Sequence, residues 1–291
     1  MTNDLLTIGN FTIHTYGVMI AVGIIVAYIV GEYRAKRRGF DIDKFFNMVI
    51  FGVVGSLIGA KVLFYIVEIK TIIANPKLLL DIGNGFVVYG GIICAVLICF
   101  VYCRKQKLNF RDNLDIVMPS LALGQAFGRV GCIAAGCCYG RETTSSFHFE
   151  YNGVWRVPTQ GISAALNLLN FLVLVFLANK VFKRKGQTAS ASLIFYSIGR
   201  FIVEIFRADA RGSVGALSTS QFISVLTFVG GVCLFVYSTW LGKKENSFTL
   251  LPGDKAVTEN EVTNDDNSKE TEAEKTEETV SETTETDKEN E

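Results

Sequence analysis

The stretch GQAFGRVGCIAAGCCYGR, residues 124–141, places polar and thiol-bearing side chains inside a long apolar segment. Its small residues recur at offsets of four, three and four and therefore share one helix face: Gly124, Gly128, Gly131 and Ala135. A second set follows the same rhythm on the neighbouring face: Gln125, Arg129, Cys132 and Gly136. Small residues allow another helix to approach closely. We therefore expect the polar face to point into a helix bundle or a cavity.

Arg129 is the most costly residue of this stretch to place inside a membrane. An arginine at the centre of a spanning helix costs at least about 2.5 kcal/mol, and intramembrane charges commonly serve a function. Arg129 can contact a ligand, or it can form a purely structural ion pair. We favour the ligand contact.

The apolar content and its distribution predict an integral membrane protein. Hydrophobic residues make up 49% of the 291 residues, and uncharged runs cover residues 85–103 and 218–242. A run of about 20 apolar residues spans a bilayer. We predict an all-α polytopic membrane protein with seven transmembrane helices: residues 16–30, 45–67, 86–102, 114–135, 162–182, 189–206 and 219–241.

The segments between the predicted spans set the orientation. Clusters of Lys and Arg follow spans one, three, five and seven, so the positive-inside rule places the N-terminus outside and the C-terminus in the cytoplasm. Asn152-Gly153 lies between alternating residues and predicts a small hairpin on the outer face. Residues 1–244 form the predicted transmembrane domain. Residues 245–291 are polar, carry no aromatic residue after Phe248, and are predicted to be an acidic, disordered cytoplasmic tail.

The sixth span has a charged stripe of its own. Its members are spaced four, four and three and line one helical face: Tyr196, Arg200, Glu204 and Arg207. Glu204 can pair with both arginines and orient them, and arginine suits bidentate contact with phosphate. The alternative is a charge network that only locks this helix to its neighbours. We favour a cationic cavity within apolar walls, which matches a substrate with a phosphate and lipid tails.

Other polar residues at the outer ends of spans leave two readings open. Tyr16 and Tyr89 can belong to the interfacial aromatic belt or can line the same pocket. Lys61, inside the second apolar run, can extend to the interface or can serve a function. Pro158-Thr159-Gln160 is a plausible helix start at the outer mouth of span five.

The cysteines allow three interpretations. The spacing Cys132-x4-Cys137-Cys138 lacks the Cys-x2-Cys pairs typical of metal sites, and the count of seven cysteines argues against a disulfide framework. Packing, a disulfide from Cys132, and metal or thiol chemistry remain open, and no metal is predicted. His14 and His148 lie on no clear stripe with a partner and are expected to be non-catalytic.

At these residues the sequence resembles the prolipoprotein diacylglyceryl transferase family of bacterial inner-membrane enzymes. The similarity covers about residues 9–240, and its motifs are Tyr16-Gly17, Gly59-Ala60-Lys61, Gly128-Arg129-Val130-Gly131, Gly136, Gly140-Arg141, Pro158-Thr159-Gln160, and the stripe of Tyr196, Arg200, Glu204 and Arg207. The resemblance implies transfer of the sn-1,2-diacylglyceryl group from phosphatidylglycerol to the lipobox cysteine of a preprolipoprotein, with release of glycerol phosphate.

The resemblance also implies the partners and the site. The partners are phosphatidylglycerol, the lipobox segment and membrane lipids, with no nucleic acid and no cofactor. The expected catalytic residues are Tyr89, Arg129, Tyr196 and Arg200. The expected substrate-binding residues are Tyr16, Lys61, Gln125, Gly140, Gln160, Glu204 and Arg207.

The sequence departs from the family pattern near the implied chemistry. Tyr89 stands where members usually have His, Lys61 replaces Arg, Cys132 and Ala135 replace Asn, Cys137 replaces Glu, and Val157 replaces His. Two alternatives to an active transferase follow. One is a non-catalytic phospholipid- or lipoprotein-binding homologue on the same scaffold, and the other is a thiol or redox role for the three clustered cysteines.

Overall fold

A computed structural model describes residues 4–8, 11–79, 85–151, 153–208, 213–215 and 217–244 of the chain. Within them, the helices are α1 (Thr15–Arg37), α2 (Ile42–Val67), α3 (Ile69–Ala74), α4 (Val88–Lys105), α5 (Phe110–Ala134), α6 (Thr159–Lys180), α7 (Gln187–Ile205) and α8 (Thr219–Lys244). All but the short α3 are long and apolar enough to cross a membrane. The prediction of seven spans is confirmed. The predicted tail, residues 245–291, lies outside the described residues.

Polar side chains cap the first turn of two helices. The side chain of Asp41 accepts from the backbone N–H of Lys44 at the start of α2. Asn109 does the same for Arg111 at the start of α5. Such side-chain acceptors satisfy backbone donors that the first helical turn leaves without partners. These two helices therefore begin at their caps, before the apolar runs that predict them.

Within the described residues, three antiparallel pairs of strands lie before or between the long helices. The pairs are β1 (Asp4–Ile8) with β2 (Phe11–His14), β3 (Phe149–Tyr151) with β4 (Val154–Arg156), and β5 (Ser213–Val214) with β6 (Leu217–Ser218). The β3–β4 pair is the hairpin that the Asn152-Gly153 signal predicts, and Tyr151 faces Val154 in its register. The other two pairs were not predicted.

Small residues bring α1 and α5 together, as the first stripe predicts. A Cβ atom on Gly23 would lie 2.9 Å from the carbonyl oxygen of Gly124, so the two backbones are in near contact. Gly131 packs against Met19 and Tyr16 in the same way. Gly128 differs, because a Cβ atom there would meet nothing within 4 Å. α5 also packs against α6 and α7, while α2 pairs with α4 and α7 pairs with α8. α5 is therefore central to the bundle.

A small apolar core and a buried polar network hold one end of the bundle. The core contains Ala35, Phe45, Met48, Cys103 and Ile116. Beside it, the guanidinium of Arg34 donates to the carbonyl oxygens of Ile116 (2.6 Å) and Asp115 (3.2 Å). Arg38 donates to the carbonyl oxygen of Ala178 at 3.2 Å. Part of the basic cluster after span one therefore joins helices instead of facing solvent.

Asp115 fixes the start of α7 from its place on α5. Its fully buried carboxylate accepts from the backbone N–H of Gly186 (2.6 Å) and from that of Ala189 (2.8 Å). A carboxylate at a helix N-terminus satisfies orphan donors and favours the positive end of the helix dipole. This cap, from a residue far away in the sequence, fixes the position of the start of α7 relative to α5.

We expect Asp115→Ala to destabilise the bundle, because the backbone N–H groups of Gly186 and Ala189 would lose their acceptors. The cost is about 1–3 kcal/mol for each buried donor left unsatisfied. Thermal unfolding of the purified protein in detergent measures it. Asp43→Ala is the matched control, since Asp43 is an exposed carboxylate on α2 and should change stability by less than about 0.5 kcal/mol. Equal shifts in the two variants would contradict the capping role.

Candidate functional site

A cavity lies among α5, α6 and α7 within the membrane-spanning region. It is small, with a volume of about 30 Å³, and is lined by Arg129, Ser163, Leu166, Asn167, Asn170, Phe195, Tyr196, Gly199, Arg200 and Val203. Arg129 comes from α5, whereas Tyr196 and Arg200 come from α7. Charged residues from two distant segments therefore meet around one chamber, as the two stripes predict.

Arg200 is held on one side only. Its Nη2 atom lies 3.0 Å from Glu204 Oε2 and donates to Ser220 Oγ at 2.8 Å. Its Nη1 atom is buried and has no hydrogen-bond partner among the described residues. A buried charged donor without a partner is costly, and such groups mark sites where a ligand can complete the hydrogen bonding. Arg200 thus offers a fixed, partly unsatisfied guanidinium to the cavity.

Glu204 is shared by the two arginines of its helix face. Its Oε2 atom lies 3.0 Å from Arg200 Nη2 and 3.9 Å from Arg207 Nε, and its Oε1 atom accepts from Ser218 Oγ at 3.3 Å. The predicted pairing of Glu204 with both arginines is confirmed. The three side chains are almost entirely buried, so the pairs are little screened by solvent.

Arg129 adds a cation that the network does not neutralise. Its guanidinium makes no hydrogen bond or ion pair with any other residue that the structure describes, although it lies within electrostatic range of Arg200. Arg129 and Arg200 share the cavity. The carboxylate of Glu204 is paired with Arg200 and Arg207. The chamber therefore carries excess positive charge and favours an anion.

Polar residues of α6 also line the cavity, and they were not predicted from the sequence. Ser163, Asn167 and Asn170 recur at offsets of four and three, are buried, and line the chamber opposite α7. Asn170 Oδ1 has no partner among the described residues. Two asparagines at helical spacing inside an apolar run were the available signal, because buried amides in a spanning helix are costly.

The first turn of α6 anchors the loop that follows α5. Thr159 Oγ1 donates to the carbonyl oxygen of Cys138, and Gln160 Nε2 donates to that of Cys137, each at 2.8 Å. Both side chains are buried. The predicted helix start at Pro158-Thr159-Gln160 is confirmed, since α6 begins at Thr159. In this structure the Gln160 amide nitrogen is bound to backbone.

Gly140 lies between two other backbone segments, at Val157 and at Phe206. Its N–H donates to the carbonyl oxygen of Val157 (3.1 Å), and the next N–H, of Arg141, donates to that of Phe206 (2.9 Å). A Cβ atom at position 140 would lie 2.6 Å from the Val157 oxygen and 2.8 Å from the Phe206 oxygen. Residues 140–143 therefore join the β3–β4 hairpin to the end of α7, and only glycine fits the crossing.

The three cysteines of the stretch form a cluster. The Sγ atoms of Cys132, Cys137 and Cys138 all lie within 4.8 Å of one another. The chain turns back at Gly136, whose φ is +60°, and the N–H of Cys137 donates to the carbonyl oxygen of Cys132 at 3.2 Å. No disulfide forms among the cysteines of the described residues. The spacing of the cysteines in the sequence does not predict that the three Sγ atoms lie close together, because the turn at Gly136 brings them together and no Cys-x2-Cys pair is present.

The electrostatics of the cluster are asymmetric. Hydrogen bonds from the Cys132 thiol and from the Arg207 guanidinium lower the pKa of the Cys138 thiol, although burial opposes them. Burial raises the pKa of the Cys137 thiol. Cys138 also has a φ of +63°, a left-handed conformation that is uncommon for a side-chain-bearing residue. Arg207 contacts both Glu204 and Cys138, so it joins the thiol cluster to the charged stripe.

The remaining predicted residues lie away from the chamber lining. Tyr89 is half exposed on α4, which packs on α2. The Lys61 ammonium lies about 5 Å from three aromatic rings, those of Phe64, Tyr65 and Phe86. Tyr16 packs beside Gly131 and is 40% exposed. Gln125 is partly buried on α5 and is not among the lining residues.

We expect Gly140→Ala to separate the loop from its two neighbours, because the added methyl group cannot fit against the Val157 and Phe206 carbonyl oxygens. Hydrogen exchange at the amides of Arg141 and Val157 should become about tenfold faster, which corresponds to about 1.4 kcal/mol. Gly161→Ala is the matched control, since a Cβ atom there meets nothing within 4 Å. Unchanged exchange in Gly140→Ala would show that the crossing does not constrain the loop.

Comparison with known proteins agrees with this arrangement. The model of the family described as prolipoprotein diacylglyceryl transferase matches residues 3–237. A phosphatidylglycerol–prolipoprotein diacylglyceryl transferase of Clostridium tetani (strain Massachusetts / E88) is 43% identical over 230 residues, which cover 77% of this chain and 92% of that protein. A second such transferase, from Clostridium perfringens (strain 13 / Type A), is 45% identical over 241 residues, covering 80% and 94%. A third, from Finegoldia magna, is 36% identical over 220 residues, covering 75% and 88%. The chain belongs to the prolipoprotein diacylglyceryl transferase family.

Proposed function

We propose that this protein transfers the diacylglyceryl group of phosphatidylglycerol to the lipobox cysteine of a preprolipoprotein. Membership of the family supports the reaction, since its members carry that activity in their name. The observation that carries the proposal is the convergence of Arg129 and Arg200 on one chamber inside the membrane-spanning region. A lipid phosphate is the anion available at that depth.

The arginines act on the phosphate before and during the reaction. Attack by the acceptor thiol forms a carbon–sulfur bond at the glyceryl carbon and breaks the bond from that carbon to the phosphate oxygen. The thiol loses its proton, and glycerol phosphate leaves with the added negative charge. Arg129 and the Nη1 atom of Arg200 stabilise this charge as it develops. Stabilisation of developing charge by preorganised donors is the largest single contribution to catalysis in many enzymes.

Glu204 acts on the reaction through Arg200. Its carboxylate fixes the guanidinium by the 3.0 Å contact and leaves Nη1 for the ligand. A guanidinium held in this way needs no reorganisation when the phosphate binds or leaves. Arg207, the other partner of Glu204, extends the positive charge toward the thiol loop.

The lining of the chamber indicates which part of the lipid meets it. Its arginines and polar side chains suit a phosphate rather than acyl chains. Leu166, Phe195 and Val203 supply apolar wall on the same chamber. The phosphoglycerol part would lie against the arginines, and the acyl chains would extend along the apolar faces of α6 and α7 into the bilayer.

The orientation follows from the same reading of charge. Lys and Arg clusters end α1, α4 and α8, which would face the cytoplasm by the positive-inside rule. The hairpin β3–β4 and the thiol loop would then face outward, where an exported lipobox segment arrives. Tyr16, Lys61, Tyr89 and Gln125 belong to the outer halves of their helices, and we propose lipid and acceptor contacts for them there.

Replacing either arginine should reduce turnover. We expect Arg129→Ala and Arg200→Ala each to lower kcat by about 100- to 1,000-fold, the usual loss when one charge-stabilising donor is removed. The kcat of Arg200→Lys should lie between those of Arg200→Ala and the wild-type protein, because an ammonium keeps the charge but cannot bind phosphate bidentately. The assay follows the mass of a lipobox peptide incubated with purified protein and phosphatidylglycerol.

The control for the arginine variants is Arg104→Ala. Arg104 is an exposed cation at the end of α4, so its removal tests for a general effect of lost positive charge. Wild-type kcat in both Arg129→Ala and Arg200→Ala would exclude the chamber as the site of transfer. The non-catalytic alternative predicts two results together. The wild-type protein would show no turnover, and Arg129→Ala would abolish its binding of phosphatidylglycerol.

The two candidate phenols can be separated by one matched pair of variants. Tyr196 lines the chamber, and a phenol O–H can donate a hydrogen bond to phosphate. We expect Tyr196→Phe to lower kcat/KM by about 10- to 100-fold, the value of a hydrogen bond to a charged group. Tyr89→Phe should lower it by less, because Tyr89 lies on α4 away from the chamber lining. A larger loss in Tyr89→Phe would place the base of the reaction on α4 instead.

A further inference from the structure

The thiol cluster at the end of α5 has the dimensions of a three-sulfur metal site. The Sγ atoms of Cys132, Cys137 and Cys138 lie within 4.8 Å of one another. Three sulfurs bound at about 2.3 Å around one ion in a plane are about 4 Å apart. Small side-chain rotations therefore close the cluster around an ion, and the backbone need not move.

The backbone that carries the thiols is already fixed. Cys132 belongs to the last turns of α5, and the N–H of Cys137 donates back to its carbonyl oxygen. The carbonyl groups of Cys137 and Cys138 accept from Gln160 and Thr159, both buried on α6. Partners of this kind, one bond away from the ligands, orient metal sites and strengthen them.

The donor set selects the class of ion. Sulfur-only coordination favours soft ions such as Cu(I) and Zn(II). Structural Zn(II) is almost always bound by four ligands, and in the described part of the chain the group contains these three cysteines and no fourth His, Cys, Asp or Glu. Three-coordination by thiolates therefore favours the monovalent ion.

The surrounding charge agrees with that choice. Three thiolates around a monovalent ion leave a net charge of −2, and around a divalent ion −1. The Arg207 guanidinium contacts Cys138, and Arg129 lies within electrostatic range of the other two thiols. Two neighbouring cations compensate the more negative complex, which a buried site without them would not stabilise.

We infer that Cys132, Cys137 and Cys138 form a binding site for one soft monovalent cation of the Cu(I) class. Each thiol gives up a proton to solvent as its sulfur–metal bond forms, and the metal keeps its oxidation state. None of the three cysteines lines the lipid chamber, and Arg207 contacts both Cys138 and Glu204. The metal site goes beyond the proposed transfer reaction and does not depend on it.

The experiment is a competition titration on the full chain. Reduced protein, purified in detergent without oxygen, is titrated with Cu(I) against a coloured Cu(I) chelator. We expect one tight equivalent per chain. Cys132→Ser, Cys137→Ser and Cys138→Ser should each weaken it by at least about 100-fold, and Gln160→Ala by about 10-fold, because Gln160 holds the Cys137 carbonyl group.

Matched controls and a direct probe exclude simpler explanations. Cys94→Ser and Cys233→Ser remove thiols elsewhere on α4 and α8 and should leave the tight equivalent unchanged. X-ray absorption of the copper-loaded wild-type protein should show three sulfur neighbours, which keeps the test valid if a cluster variant fails to fold. Two sulfur neighbours, equal losses in the control variants, or tighter binding of Zn(II) than of Cu(I) at these cysteines would each overturn the assignment.

Discussion

The ion pair between Arg200 and Glu204 is the interaction on which the site depends. Both groups are buried in a membrane-spanning helix, where an isolated charge is costly and a lost partner leaves the other uncompensated. Glu204 reaches Arg207 and Ser218, and Arg200 reaches Ser220 on α8. One carboxylate thereby fixes two guanidiniums and ties α7 to the segment that begins α8. The cationic chamber exists because this pair is preformed.

The second constraint is the crossing at Gly140. The hairpin strand, the loop after α5 and the end of α7 meet there through backbone hydrogen bonds to Val157 and Phe206. The residue after Phe206 is Arg207, which contacts Glu204 and Cys138. Backbone contacts outside the spans and charged contacts within them therefore share one junction.

Helical periodicity was enough to predict the faces that matter most. Gly124 and Gly131 pack against α1, and Arg200, Glu204 and Arg207 interact along α7, as their spacing indicated. These relations are local, since residues three or four apart on a helix are neighbours. The spacing put Arg129 and Arg200 each on a polar helix face, and the cost of burying charge favours their meeting in one cavity.

The features that escaped prediction depend on contacts far apart in the chain. Asp115 caps a helix that begins more than seventy residues later. The approach of Cys132 to Cys138 depends on left-handed backbone at Gly136 and on anchoring by α6. Tyr89 and Lys61 stand at positions of the family pattern that usually carry His and Arg, but packing of α4 on α2 places them away from the chamber lining. Spacing carries no information about which helices become neighbours.

The double cap by Asp115 has a consequence for the spacing of the two arginines. α7 is fastened to α5 at its start by two hydrogen bonds to one carboxylate, and near its end the loop that continues α5 bonds to Phe206. The helices that carry Arg129 and Arg200 are therefore tied to each other at both ends. Two like charges that repel each other are held together by the backbone around them.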